Sequence, residues 1–259
     1  MIRLVVGLMC SVVGLVSCIP GETARNESTG AYGKALREFK PGSPIPRADP
    51  KRKVPAPPVA GNYLFDTTVD GRDGELTFEA SMTVKHPRPL EGGSLEVTNY
   101  SQDEYDDSTY SIQIWHHDGV FTKSSSWARN EYPACTYSPP YKELEFPMKV
   151  GNAWSASSKC DQTENPRLYS ARFKVLREES LELAGEKVET YVFDAKWSIL
   201  TVNENIEGQT TNWYSPKYGV VVKYESSATR RGHQDPKPKN PFKARSLIRS
   251  TQPSSSDAV

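Results

Sequence analysis

The stretch "ELTFEASMTVK", residues 75–85, alternates without a break. Leu76, Phe78, Ala80, Met82 and Val84 fall on one face; Glu75, Thr77, Glu79, Ser81 and Thr83 fall on the other. Successive side chains of a strand point to opposite faces, so a period of two over this length reads as a half-buried strand. The same grammar recurs along the chain. "YSIQIWHHDGVFTK", from Tyr110, reads as a hairpin turning at Asp118-Gly119, a dipeptide suited to a type I′ turn. "RLYSARFKVL", from Arg167, sets Leu168, Ser170, Arg172 and Lys174 against Tyr169, Ala171, Phe173 and Val175. "EKVETYVFDAKWSILTV" and "TNWYSPKYGVVVKYES" add further strands, the second broken by a Ser-Pro-Lys-Tyr-Gly turn. Serial strands with short turns indicate an all-β domain over 61–229: one antiparallel curved sheet, or an open or half barrel.

The flanks differ in kind. Residues 18–60 are polar and proline-rich ("KPGSPIPRADPKRKVPAPPVAG"), and Ala31–Phe39 fits a short helix. The stretch lacks the apolar periodicity needed for a core and reads as a tether. Residues 230–259 are basic, then serine-rich, and read as a disordered tail. Net charge is zero over 259 residues, yet residues 60–229 hold 16 basic and 26 acidic side chains, and the flanks carry the compensating excess of positive charge. Basic arms around an acidic domain suit a tether on an anionic membrane, or are solvated tails.

The leader places the chain. After Arg3 comes the apolar run "LVVGLMCSVVGLV", too short for a bilayer core that needs about 20 helical residues. With the small residues after it, residues 1–17 have the layout of a secretory signal peptide. Its end, Leu15-Val16-Ser17-Cys18, resembles the lipobox of bacterial lipoproteins. That resemblance implies diacylglyceryl on Cys18, cleavage before it, and a location on the extracytoplasmic face of the bacterial membrane. An ordinary cleaved signal or an uncleaved anchor is the alternative. Export makes a nucleic-acid partner for the basic tail improbable. Of the four cysteines, Cys10 would leave with the signal and Cys18 would be acylated. Cys135 and Cys160 remain, and an oxidising compartment pairs them in a disulfide.

"FPMKVGNAWSASSKC" (146–160) and "NWYSPKYGVVVKYE" (212–225) resemble a motif pair of secreted and lipoprotein β-domains of bacteria, P-L-x-V-G-x-x-W and W-Y-x-P-x-x-G-x-V-K. The matches are Pro147, Met148 (for the usual Leu), Val150, Gly151 and Trp154, then Trp213, Tyr214, Pro216, Gly219, Val221 or Val222, and Lys223. The resemblance implies a structural motif, on folds similar to the open-barrel sheets of lipoprotein carriers, whose concave face holds acyl chains. Fold does not carry function with it.

Catalytic signals are sparse. No G-x-S-x-G elbow or phosphate-cradling loop occurs. Carboxylates are plentiful, so a glycosidase pair stays open. Asp103–Asp107 reads as a solvated acidic loop. His116-His117-Asp118 offers metal-type donors, but adjacent strand residues face opposite ways, so no metal site is expected there. No cofactor is expected either. Trp115, Trp154, Trp197 and Trp213 are either core filling or the ligand-facing wall of a pocket for an apolar or glycan ligand. The reading is a membrane-anchored, non-enzymatic binding module for a lipid or other apolar ligand. An interaction scaffold for an envelope protein or wall polymer is the second reading, and an envelope hydrolase the third.

Overall fold

The computed structural model describes residues 31–49, 51–55, 57–71, 74–103, 108–126, 135–160, 166–232 and 242–253. Cys18, the leader, Trp127, His233 and 104–107 of the acidic loop lie outside them. The described strands are β1 (Gly61–Gly71), β2 (Gly74–Val84), the two-residue β3 (Arg88–Pro89), β4 (Leu95–Asp103), β5 (Ser108–His116) and β6 (Gly119–Ser126). They continue with β7 (Cys135–Glu145), β8 (Ala153–Cys160), β9 (Arg167–Leu183), β10 (Glu186–Thr201), β11 (Glu204–Ser215), β12 (Val220–Gly232) and β13 (Phe242–Pro253). All pairings are antiparallel, so the fold is all-β as the alternation predicts.

The sheet closes. β2 pairs with β1 on one side and with β4 on the other, Ala80–Val84 against Asn99–Asp103, so twelve strands form a ring and β3 hangs on the start of β4. The expectation of an open or half barrel gives way at this contact, which leaves no free edge along the main ring. On β2, Phe78, Ala80, Met82 and Val84 are buried as their period requires; Leu76, beside the turn to β1, stays exposed. On β9, Ala171, Phe173 and Val175 point into the core while Ser170, Arg172 and Lys174 face solvent; Leu168, grouped with the outward set by alternation, is buried instead.

The two flanks need correction. Residues 242–253 are a barrel strand: β13 lies between β1 and β12, with Ala244, Ser246 and Ile248 buried. Its basic residues answer the acidic face of β1 and β2, Arg245 meeting Glu75 at 3.1 Å and Arg249 meeting Asp66 at 3.6 Å and also Glu79. The charge division of the sequence is in part a cross-strand pairing. The stretch from 31 to 60 is not a free tether. It forms α1 (Ala31–Glu38), with Tyr32 buried, and then a strap along the barrel. The Gly42 amide donates to Ser157 O at 2.9 Å, Arg52 pairs with Asp118 at 2.9 Å, and the Val59 amide donates to Tyr218 O at 3.0 Å. Prolines that cannot join a central ladder suit such a crossing segment. Among the described residues no helix is long and apolar enough to cross a membrane.

Candidate functional site

The four tryptophans put forward as ligand-facing are buried, none above 8% exposed. Trp115, on β5, packs on Phe146 with centroids 5.8 Å apart and donates its indole N–H to Gln113. Trp154, on β8, stacks on Phe173 at 5.0 Å, nearly parallel. Trp197, on β10, donates to Thr210 at 3.1 Å and lies over Gly208, where a Cβ would stand 2.2 Å from the ring. Trp213, on β11, carries Lys223 over its face at 4.0 Å. All four belong to the continuous core.

A polar network absent from the sequence reading adjoins that core. Glu143 accepts from Thr122 at 2.6 Å and from Gln113 at 2.9 Å, and Gln113 Oε1 accepts from Asn99 at 3.1 Å. Tyr137, Tyr141 and Tyr169 cluster beside it, the last two 4.5 Å apart. Arg230 pairs with the buried Glu204, and burial pushes the Arg167 guanidinium below its ordinary value. Asp103 is also buried, at the end of β4, and is not part of a solvated loop. Period-two patterning marks such positions only as inward-facing. It does not reveal that polar side chains three strands apart satisfy one another.

The Cys135–Cys160 disulfide is formed, with Cα atoms 5.5 Å apart, inside the bridging range. It ties β7 to β8, where only Tyr137 and Ser138 pair across the ladder. The residues of the motif pair sit at structural junctions. The Gly151 amide donates to Val175 O and Asn152 Nδ2 to Pro147 O, folding the β7–β8 connection onto β9. Gly219, at φ 68°, receives the strap: a Cβ there would stand 2.5 Å from Pro58.

His116, His117 and Asp118 overturn the expectation that neighbouring histidines diverge. β5 ends at His116 and β6 begins at Gly119, so the two-residue loop is His117-Asp118, one residue earlier than the sequence suggests. Gly119 serves the close approach of β7, since a Cβ there would stand 2.1 Å from Leu144 O. His117 is thereby released from strand alternation, and the two ring centroids come within 3.8 Å, tilted by 35°. One ligand atom from each of the three residues lies within 4.8 Å of the others. Burial, and then the neighbouring His117, hold the His116 imidazole below its ordinary pKa.

On the outer wall of β1, β2, β11, β12 and β13 runs an open groove of about 500 Å³. Asp70, Glu75 and Glu225 face Lys243 and Arg245 across it, with Gln209 beside them.

No protein-family model and no curated protein matches the sequence. Among solved structures, the chain is similar to a Bacteroides fragilis protein described as exported and of YmcC-like fold, at 13% identity and TM-score 0.47, over 78% of this chain and 99% of that one. It is similar to a Parabacteroides distasonis protein described as a lipoprotein, at 11% identity and TM-score 0.46, over 78% and 100%. It is also similar to the hypothetical lipoprotein YmcC of Escherichia coli, at 12% identity and TM-score 0.33, over 77% and 88%. Identities this low leave function to be argued from this chain's own residues.

Proposed function

We propose that the protein is an exported, membrane-anchored binding module of the bacterial envelope that meets its partner through the outer wall of the barrel. The leader ending in Leu15-Val16-Ser17-Cys18 supports the anchor, and the Cys135–Cys160 bond fits an oxidising compartment. The observation that carries the choice of surface is the contrast between inside and outside. The four tryptophans read as core filling or as a pocket wall all belong to the buried core, whereas charges of both signs and an amide line the external groove. Such a lining suits a polar partner, an envelope protein or wall polymer, whose own charges it can pair.

Two measurements test this reading. Cys18→Ala should release the protein from membranes; continued partitioning into detergent would remove the anchor. A photo-crosslinking residue at Gln209, in the groove, should give envelope adducts that the same probe at Lys187, near the start of β10, does not. Equal adducts from both positions would remove the groove. A lipid co-purifying with the unheated full chain in native mass spectrometry, and lost on denaturation, would return the carrier reading.

A further inference from the structure

The β5–β6 hairpin holds three donors that the roles above do not use. We propose that His116, His117 and Asp118 bind a divalent transition-metal ion of the Zn²⁺ class, with Arg52 of the strap holding the carboxylate when the ion is away. The argument begins with donor chemistry. Two imidazoles and one carboxylate suit zinc, copper, nickel or iron, whereas calcium and magnesium require a shell of oxygens. Three protein ligands leave a further coordination position for solvent.

Geometry comes next. Asp118 Oδ2 lies 3.3 Å from His117 Nε2 and 3.8 Å from His116 Nδ1. Donors on a tetrahedral zinc, each about 2.0–2.1 Å from the ion, stand about 3.3 Å apart. One pair is already at that spacing, and the rest of the cluster lies within 4.8 Å, with His117 and Asp118 on the two-residue turn able to rotate toward the fixed His116 ring. Arg52 Nη1 engages the other carboxylate oxygen, Oδ1, at 2.9 Å, so Oδ2 stays directed at both rings.

Burial separates this cluster from a surface pair of histidines. His116 is fully enclosed and His117 is buried, while Asp118, 31% exposed, gives the ion a path from solvent. His116 Nδ1 accepts a hydrogen bond from the Asp118 amide at 3.1 Å, and its Nε2 is enclosed with no hydrogen-bond partner. A ring whose Nδ1 accepts carries its proton on Nε2, so the ligand nitrogen is Nδ1, the one that faces Asp118 Oδ2, and the ion would take the place of the Asp118 amide there. The charges that oppose a cation are also identifiable. Arg52 and Lys142 both act on His116, and Arg52 shares the carboxylate directly. Arg52 therefore competes with the ion, and the strap and the metal are linked through Asp118.

The test titrates Co²⁺ and Zn²⁺ into the purified full chain in detergent, with the disulfide intact. One ion per chain is expected, with the visible absorption of cobalt held by nitrogen and oxygen donors. Asp118→Asn, which preserves shape, and His117→Ala should each weaken binding by about tenfold or more, the scale of losses seen around metal sites. Arg52→Ala should tighten it, and His86→Ala and His233→Ala should leave it unchanged. Circular dichroism and an intact disulfide would confirm that the variants fold. Failure to bind one ion, or an affinity in Asp118→Asn and His117→Ala equal to that of the unaltered chain, would overturn the site. An affinity unchanged or lowered in Arg52→Ala would overturn the competition by the strap.

Discussion

The barrel is unevenly closed, and its strongest and weakest seams lie on either side of β8 and β9. β9 and β10 pair along their whole length, from Leu183 opposite Glu186 to Arg167 opposite Thr201, with one bulge at Val192/Phe193. β7 and β8 pair at two residues. Pro139 and Pro140 in β7 have no N–H to offer a ladder, and the two strands diverge beyond them. Other devices close this seam. The disulfide binds one end, Ser158 Oγ donates to Pro139 O at 2.6 Å, and the strap supplies Gly42 N and Lys40 O to Ser157. A covalent bond and a borrowed segment replace a backbone ladder. Where the backbone can pair in full, side chains need only pack.

The largest expected effect falls on the strong seam. Trp197→Ala empties a site in which the indole packs on Gly208 and donates to Thr210, and should cost about 3–5 kcal/mol in urea unfolding. Loss of stability with unchanged cooperativity is the expected trace; a loss under about 1 kcal/mol would show that this wall tolerates a cavity. Next comes the weak seam. Replacing Cys135 and Cys160 by Ser should cost about 3 kcal/mol on the chain-entropy account of a 25-residue loop. Amide exchange should rise in β7 and β8 and stay slow in β9 and β10, and a uniform rise would dissolve the contrast between the seams.

Smaller effects concern the strap. Gly219→Ala forces a side chain onto a left-handed backbone against Pro58, and should cost about 1–3 kcal/mol while exposing the strap to protease before the barrel. Cleavage of strap and barrel at the same rate would mean that the strap is not separately seated. The smallest effect is read against pH. Burial, with Tyr218 nearby, pushes the Tyr63 phenol up to about 12 from its ordinary 10, and its hydroxyl donates to Val59 O at 2.5 Å. A raised acid pKa stabilises the folded state fully below pH 10, and that contribution fades as pH climbs toward 12. Thermal melts should therefore fall across that window, and by less in Tyr63→Phe; an equal fall would assign the effect elsewhere.

Several features are legible in the residues alone. The alternation of 77–84 and 170–175 gives strand and burial face together, because a pleated backbone turns every second side chain inward. The cysteine count singles out Cys135 and Cys160. β13 is the counter-example: "KARSLIRS" alternates too, but its lysine, arginines and neighbouring prolines resemble a tail. Its acidic partners on β1 and β2 lie some 170 residues away along the chain. The strap fails for a related reason, since proline-rich sequence looks like a linker until a neighbouring glycine such as Gly219 is shown to seat it.

The histidine pair converges because the turn falls one residue earlier than Asp118-Gly119 suggests, with Gly119 held in β6 against Leu144 O of β7. Local sequence thus determined the alternating strands, their inward and outward faces, and the disulfide partners. Tertiary structure alone decided barrel closure, the place of β13, the seat of the strap and the convergence of His116, His117 and Asp118. The division is physical. Alternation is written into each strand by backbone geometry, whereas closure depends on pairings between residues far apart in sequence, which no local pattern encodes.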